Sequence, residues 1–197
     1  MIVGARHASP LHCMSEPTPI GPLMAFVFLH DLDSLEPKDQ KLRWNTYSEY
    51  LNSLGDRLPA SAYSSAIADW HYDHLDSRCP HDSWVESITI AEPASGDRSQ
   101  RRKLEIQLTL LGAYHNGYFK LIYRDVAAYD LKTPAEFLLP PRNVGHGDWL
   151  YDEVRLSDSG KVMHEIEFSR GSHWAIESSD ILWTWQEIPS AGKTPQT

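Results

Sequence analysis

The chain has 197 residues, of which 41% are hydrophobic and 23% charged, and a formal net charge of −9. That length fits one domain able to bury about 70% of the surface its unfolded form exposes, and the composition excludes disorder throughout. The acidic balance argues against nucleic-acid binding, which needs clustered Lys and Arg to neutralise phosphates, and no apolar run approaches the roughly 18 residues of a membrane span.

Residues 1–22 hold Pro10, Pro17, Pro19 and Pro22 with Gly4 and Gly21. No helical or strand period survives there, so this segment is expected to be a disordered or loosely attached tail. Met14 and Met24 offer alternative starts to Met1. The two cysteines, Cys13 and Cys79, do not make a disulfide framework, and with no export signal the expected compartment is the cytoplasm.

A single domain is expected over residues 23–188. Met24 to Leu29 is a short strand or a lead-in. Pro37 is suited to the first turn of a helix. From Lys38 to Leu54, Leu42, Tyr47, Tyr50, Leu51 and Leu54 recur at helical spacing, and Gly55 stops the run. A second helix is predicted over Ala60 to Trp70, with Tyr63, Ala66, Ile67 and Trp70 on one face.

After residue 82 the period changes to two. Ile88 and Ile90 alternate with Ser87 and Thr89, then Leu104, Ile106, Leu108 and Leu110 alternate with polar residues. Asn116-Gly117 predicts a hairpin turn into a strand over Tyr118 to Tyr129. Pro134, Pro140, Pro141, Gly145 and Gly147 mark residues 130–147 as a loop. Further alternation runs from Leu150 to Leu156, from Val162 to Phe168, through Trp174 and Ile176, and from Ile181 to Trp185. Residues 189–197 are expected to be a C-terminal tail. The fold class read from this order is α+β, with N-terminal helices packed on an antiparallel meander of about six strands.

Three groups of side chains carry candidate chemistry. His71, His74, Cys79 and His81 are zinc-type donors, although their spacing matches no standard zinc motif. They would serve a metal-dependent enzyme. Asp148, Asp152, Glu153, Glu165 and Glu167 lie on strands and are expected on a polar outer face, where they could act as an acidic surface for a basic protein, bind a divalent cation or simply be solvated. His164 falls on an apolar row and reads as a hydrogen-bonded core histidine. No nucleophile elbow or phosphate-binding glycine loop occurs, so neither catalysis nor a cofactor is called for.

The string His81-Asp82-Ser83-Trp84-Val85-Glu86-Ser87-Ile88 opens a strand. Tyr-Arg-Asp-Val-Ala-Ala-Tyr (residues 123–129) ends another, followed by Asp148-Trp149-Leu150-Tyr151-Asp152-Glu153-Val154, a hairpin at Arg170-Gly171 and a strand at Ile181. Over residues 81–188 this resembles the small β-rich immunity proteins of bacterial polymorphic toxin systems. The resemblance implies a binding function, in which the protein blocks a cognate toxin. A basic toxin would complement the acidic chain. An oligomer built on self-pairing sheet edges is a third reading of the same strands.

Overall fold

The computed structural model describes residues 26–29, 32–133 and 145–189. The expected tails at 1–22 and 189–197 lie almost wholly outside these, as do residues 134–144 of the 130–147 stretch expected to be loop. Helix α1 runs Pro37–Leu54 and α2 runs Ala60–Ala66. Ten strands follow: β1 Trp84–Ala91, β2 Ala94–Ser95, β3 Arg101–Arg102, β4 Glu105–Leu111, β5 Gly117–Arg124, β6 Ala128–Lys132, β7 Trp149–Leu156, β8 Val162–Phe168, β9 His173–Ser178 and β10 Asp180–Glu187.

The class is α+β, but the strands do not form one meander of six. They form two four-stranded antiparallel sheets, ordered β1-β4-β5-β10 and β6-β9-β8-β7, and a two-stranded ribbon, β2-β3. The chain changes sheet twice, at one corner. Tyr118 to Tyr129 reads as one strand, but Asp125 takes a left-handed φ of 50° and breaks it. Val126 N–H then bonds to Leu104 O and Ala127 N–H to Glu177 O, so β6 joins the second sheet. Asp130–Lys132, expected in a loop, belongs to that strand. The return crossing is at Ser179, whose N–H bonds to Arg124 O beside the first. The sheets also meet where Trp84 bridges Asp148, with Asp82 N–H bonded to Trp149 O and Trp149 N–H to Ser83 O.

The alternation then decides the core. Ile106, Leu108, Leu110, Phe119, Leu121 and Tyr123 of the first sheet face Trp149, Val154, Ile166, Phe168, Trp174 and Ile176 of the second, all buried. Helix α2 packs on β10 and ends at Ala66, before the expected Trp70. Its last turn tightens through Ala68 N–H to Ser65 O and His71 N–H to Ala68 O, which carries the His71 side chain inward. In α1, Tyr47, Leu51 and Leu54 are buried as the periodicity predicts, whereas Leu42 is exposed.

The Asn116-Gly117 hairpin exists, but not as a two-residue turn. Gly112 N–H bonds to Gly117 O across a longer loop in which His115 takes the positive φ. Gly117 is required for a different reason: a Cβ there would lie 2.1 Å from the Trp185 ring.

Candidate functional site

The densest polar constellation lies between the two sheets. Asp152 of β7 points inward with 1% of its surface exposed, beside fully buried His71 and His164. Its Oδ2 meets His71 Nε2 at 2.9 Å and His164 Nε2 at 3.1 Å, and Oδ1 accepts from Trp149 Nε1 at 3.1 Å. His164 Nδ1 lies 2.8 Å from the Tyr123 hydroxyl. His71 Nδ1 lies 2.9 Å from Ser65 O, so the imidazole caps the C-terminal end of α2.

The partners assign the protons. A carbonyl oxygen and a carboxylate both only accept, so His71 carries a proton on each ring nitrogen and pairs with an ionised Asp152. His164 needs only Nε2–H, with Nδ1 accepting from Tyr123. Burial works to raise the Asp152 carboxyl, but the charge on His71 and hydrogen bonds from both imidazoles outweigh it and hold the group well below its ordinary range. Burial lowers His164, in spite of its bond to Asp152.

Tyr47, Tyr50 and Tyr72 extend this polar system to the edge of β7. The Tyr47 hydroxyl accepts from Val154 N–H at 2.7 Å and donates to Val154 O at 3.2 Å. Tyr72 donates to Asp152 O, and Tyr50 accepts from Leu156 N–H. Helix α1 and the segment after α2 thus satisfy backbone groups that an edge strand would otherwise expose.

The expected polar outer face is largely covered. Asp152 lies on the inner row, and Glu153 and Glu165, paired directly across β7 and β8, are both buried on the other face. The cover is the 26–29 segment, with Phe26 and Leu29 buried. Glu153 accepts the successive backbone N–H groups of Val27, Phe28 and Leu29. Arg155 donates Nε to Glu165 at 3.1 Å and lies 4.0 Å from Glu153, which offsets two like charges placed opposite each other. Burial nevertheless pushes both carboxyls up. Of the five acids expected to face a partner, only Asp148 and Glu167 keep partial exposure. Alternation places residues on a face, but it cannot say what lies across that face.

Of the zinc-type set, His74, Cys79 and His81 line one cavity of about 190 Å³, and His71 does not join them. His71 is committed to Asp152 and Ser65, and Cys79 is buried with its Sγ on His71 O. Burial pushes the Cys79 thiol up to about 11, which keeps it protonated and unreactive. His74 and His81 stack face to face, with ring centroids 4.1 Å apart. No group of three or more metal-type donors occurs among the described residues.

A Tyr–His–Asp–His chain has the residue types of an acid/base relay, but a relay must reach a substrate proton. The main cavities lined by described residues, of about 190–380 Å³, do not include His71, Tyr123, Asp152 or His164. What the arrangement does is lock α2, β5, β7 and β8 together through a fully paired buried network. Of its members the sequence marked His164 correctly as a core histidine and misread Asp152 as a surface acid. Tyr123 and Trp149 gave no signal beyond being aromatic. Comparison with protein-family models, curated proteins and solved structures finds no match for this chain. No helix among the described residues is long and apolar enough to cross a membrane.

Proposed function

We propose that the protein is a non-catalytic module that binds another protein, and that in the cytoplasm it serves as an immunity protein against a basic cognate toxin. One observation carries the non-catalytic part: the cluster with catalytic residue types is sealed in the core, and its groups are used in structural hydrogen bonds. The net charge of −9 supports a basic partner, because complementary fields speed encounter and reject acidic competitors. Acids left at the surface, among them Asp82 and Glu86, with Asp148 partly exposed, supply that field. The metal-dependent alternative has no assembled donor set among the described residues to support it.

The test is co-purification with the product of the adjacent gene. A stoichiometric complex, weakened by salt, together with loss of that neighbour's toxicity, is the expected result. A neighbour that is neither toxic nor bound would remove the immunity reading.

A further inference from the structure

A cavity of about 200 Å³ opens between β10 and the segment that follows α2, lined by Trp70, Arg78, Phe119, Trp183, Thr184 and Trp185. Its walls are aromatic. Ring centroids of Trp70 lie 6.2 Å from Trp183 and 6.3 Å from Phe119, and Phe119 lies 4.8 Å from Trp185, all within the range of favourable ring pairs. The walls are also held in place. Phe119 is buried, and Trp185 rests against the β4–β5 hairpin, where a Cβ on Gly112 or Gly117 would come within 2.8 or 2.1 Å of its ring. The hairpin thus gives up two side chains to seat that indole. A cavity of about 150 Å³ holds benzene, and pockets for larger ligands start at about 300 Å³. The space therefore suits a single ring with a small substituent.

The polar side of the cavity decides the substituent. Arg78 is the one charged residue among the described lining residues. Its guanidinium lies over Trp70, 5.9 Å from the ring centroid. Asp76 holds it from one side, accepting from Nε at 3.0 Å and from Nη2 at 2.7 Å. A guanidinium carries five N–H donors, so three remain, and no described residue takes them. Thr184 spends its hydroxyl hydrogen on Lys120 O at 3.3 Å. With no carboxylate among the described lining residues, the wall offers donors and calls for an acceptor. A cationic ligand would find the Trp70 face already taken, and by a like charge. A ring without an acceptor would leave the Arg78 donors to water.

We propose that this cavity binds a small aromatic carboxylate, its ring among Trp70, Trp183 and Trp185 and its carboxylate on the unused N–H groups of Arg78. The planar, charge-assisted pairing of guanidinium with carboxylate sets the ligand's orientation, and the rings supply the buried area. Asp76 is a positioning residue, because its two bonds fix the plane of the guanidinium. The site is separate from the protein-binding role proposed above, and neither requires the other.

The test uses the full chain, isotope-labelled for NMR, with phenylacetate as the probe. Three controls each change one property: phenylacetamide removes the charge, phenethylamine reverses it, and cyclohexylacetate removes the aromatic ring. Phenylacetate should give saturable shifts at the indole N–H signals of Trp70, Trp183 and Trp185 and at Arg78 Nε. Its Kd should be about 1 mM or tighter, and at least about fivefold tighter than that of any control. Arg78→Gln should bind phenylacetate and phenylacetamide equally. Thr184→Phe, which fills the mouth from an exposed position, should lose phenylacetate binding with an unchanged urea midpoint. The tripeptide Gly-Gly-Phe offers the same ring and carboxylate from a polypeptide end; tighter binding than phenylacetate assigns that source, weaker binding a free aromatic acid, and both support the site. Any control that binds as tightly as phenylacetate, shifts centred elsewhere, a carboxylate preference that survives Arg78→Gln, or no binding at about 1 mM would overturn the proposal. Such a failure leaves the protein-binding reading standing, because co-purification tests that reading without this cavity.

Discussion

Asp152 offers the sharpest test of the buried network, because two substitutions at one site should behave very differently. Asp152→Ala removes the acceptor for His71 Nε2, His164 Nε2 and Trp149 Nε1. Breaking a buried ion pair by deleting one partner costs about 3–5 kcal/mol, and each donor left unpaired in the core costs about 1–3 kcal/mol. These overlap, so a loss of about 4–6 kcal/mol is expected, against a domain stability of about 5–15 kcal/mol. At about 2–4 °C per kcal/mol for a chain of this size, Tm should fall by about 10–20 °C. Asp152→Asn keeps the shape. With its amide nitrogen in the Oδ2 position it can donate to both imidazoles, each carrying its proton on Nδ1, and its oxygen still accepts from Trp149. Ser65 O already demands that proton on His71, and the Tyr123 oxygen can accept the one on His164. The amide should therefore cost less than half as much as alanine. Urea unfolding followed by tryptophan fluorescence measures both. An alanine variant within about 1 kcal/mol of wild type, or an asparagine variant as damaged as alanine, would show that the network does not hold the sheets together.

The network also sets a pH response. His164 is lowered by burial from 6.5, so its share of stability is complete above the unfolded value and is lost as pH falls from about 6.5 towards the folded value. Asp152 is also lowered, from 3.8, and its share disappears only as pH falls below that. Glu153 and Glu165 are raised from 4.5; they act in the opposite sense, stabilising at low pH and less so as pH rises through their folded values. Between about pH 6.5 and 5 His164 thus lowers the urea midpoint while the two glutamates raise it, so His164 is read as a difference. As pH falls through that range the wild type should lose stability relative to His164→Gln, which cannot titrate there, and parallel curves would dismiss His164 as a contributor. Tyr47→Phe leaves the buried N–H and C=O of Val154 without the hydroxyl and should cost about 1–3 kcal/mol, with faster hydrogen exchange at the Val154 amide. Gly117→Ala places a Cβ 2.1 Å from the Trp185 ring and should cost about 1–3 kcal/mol through overpacking, with a shift in tryptophan emission.

Local pattern was enough for much of the fold. Pro37 and Gly55 bound α1 because fixed φ at one end and a positive φ at the other act within a few residues. The period of two located the long strands and most of the inward rows, because a pleat alternates whatever lies around it. The acidic character, and the lack of a sequential catalytic motif, were equally legible.

The tertiary structure decided everything that depends on what lies across a face. Val27 to Leu29 reach Glu153 over more than 120 residues of chain, and that contact turned an expected polar surface into a buried cluster. Asp125 splits one apparent strand between two sheets by a single left-handed residue, a choice fixed by pairing partners elsewhere in the chain. His71 sits in sequence among zinc-type donors, but in space it belongs to Asp152, 81 residues away. Side-chain period is a local property of the backbone, whereas solvation, proton placement and partner choice are set by contacts the chain makes only once it has closed on itself.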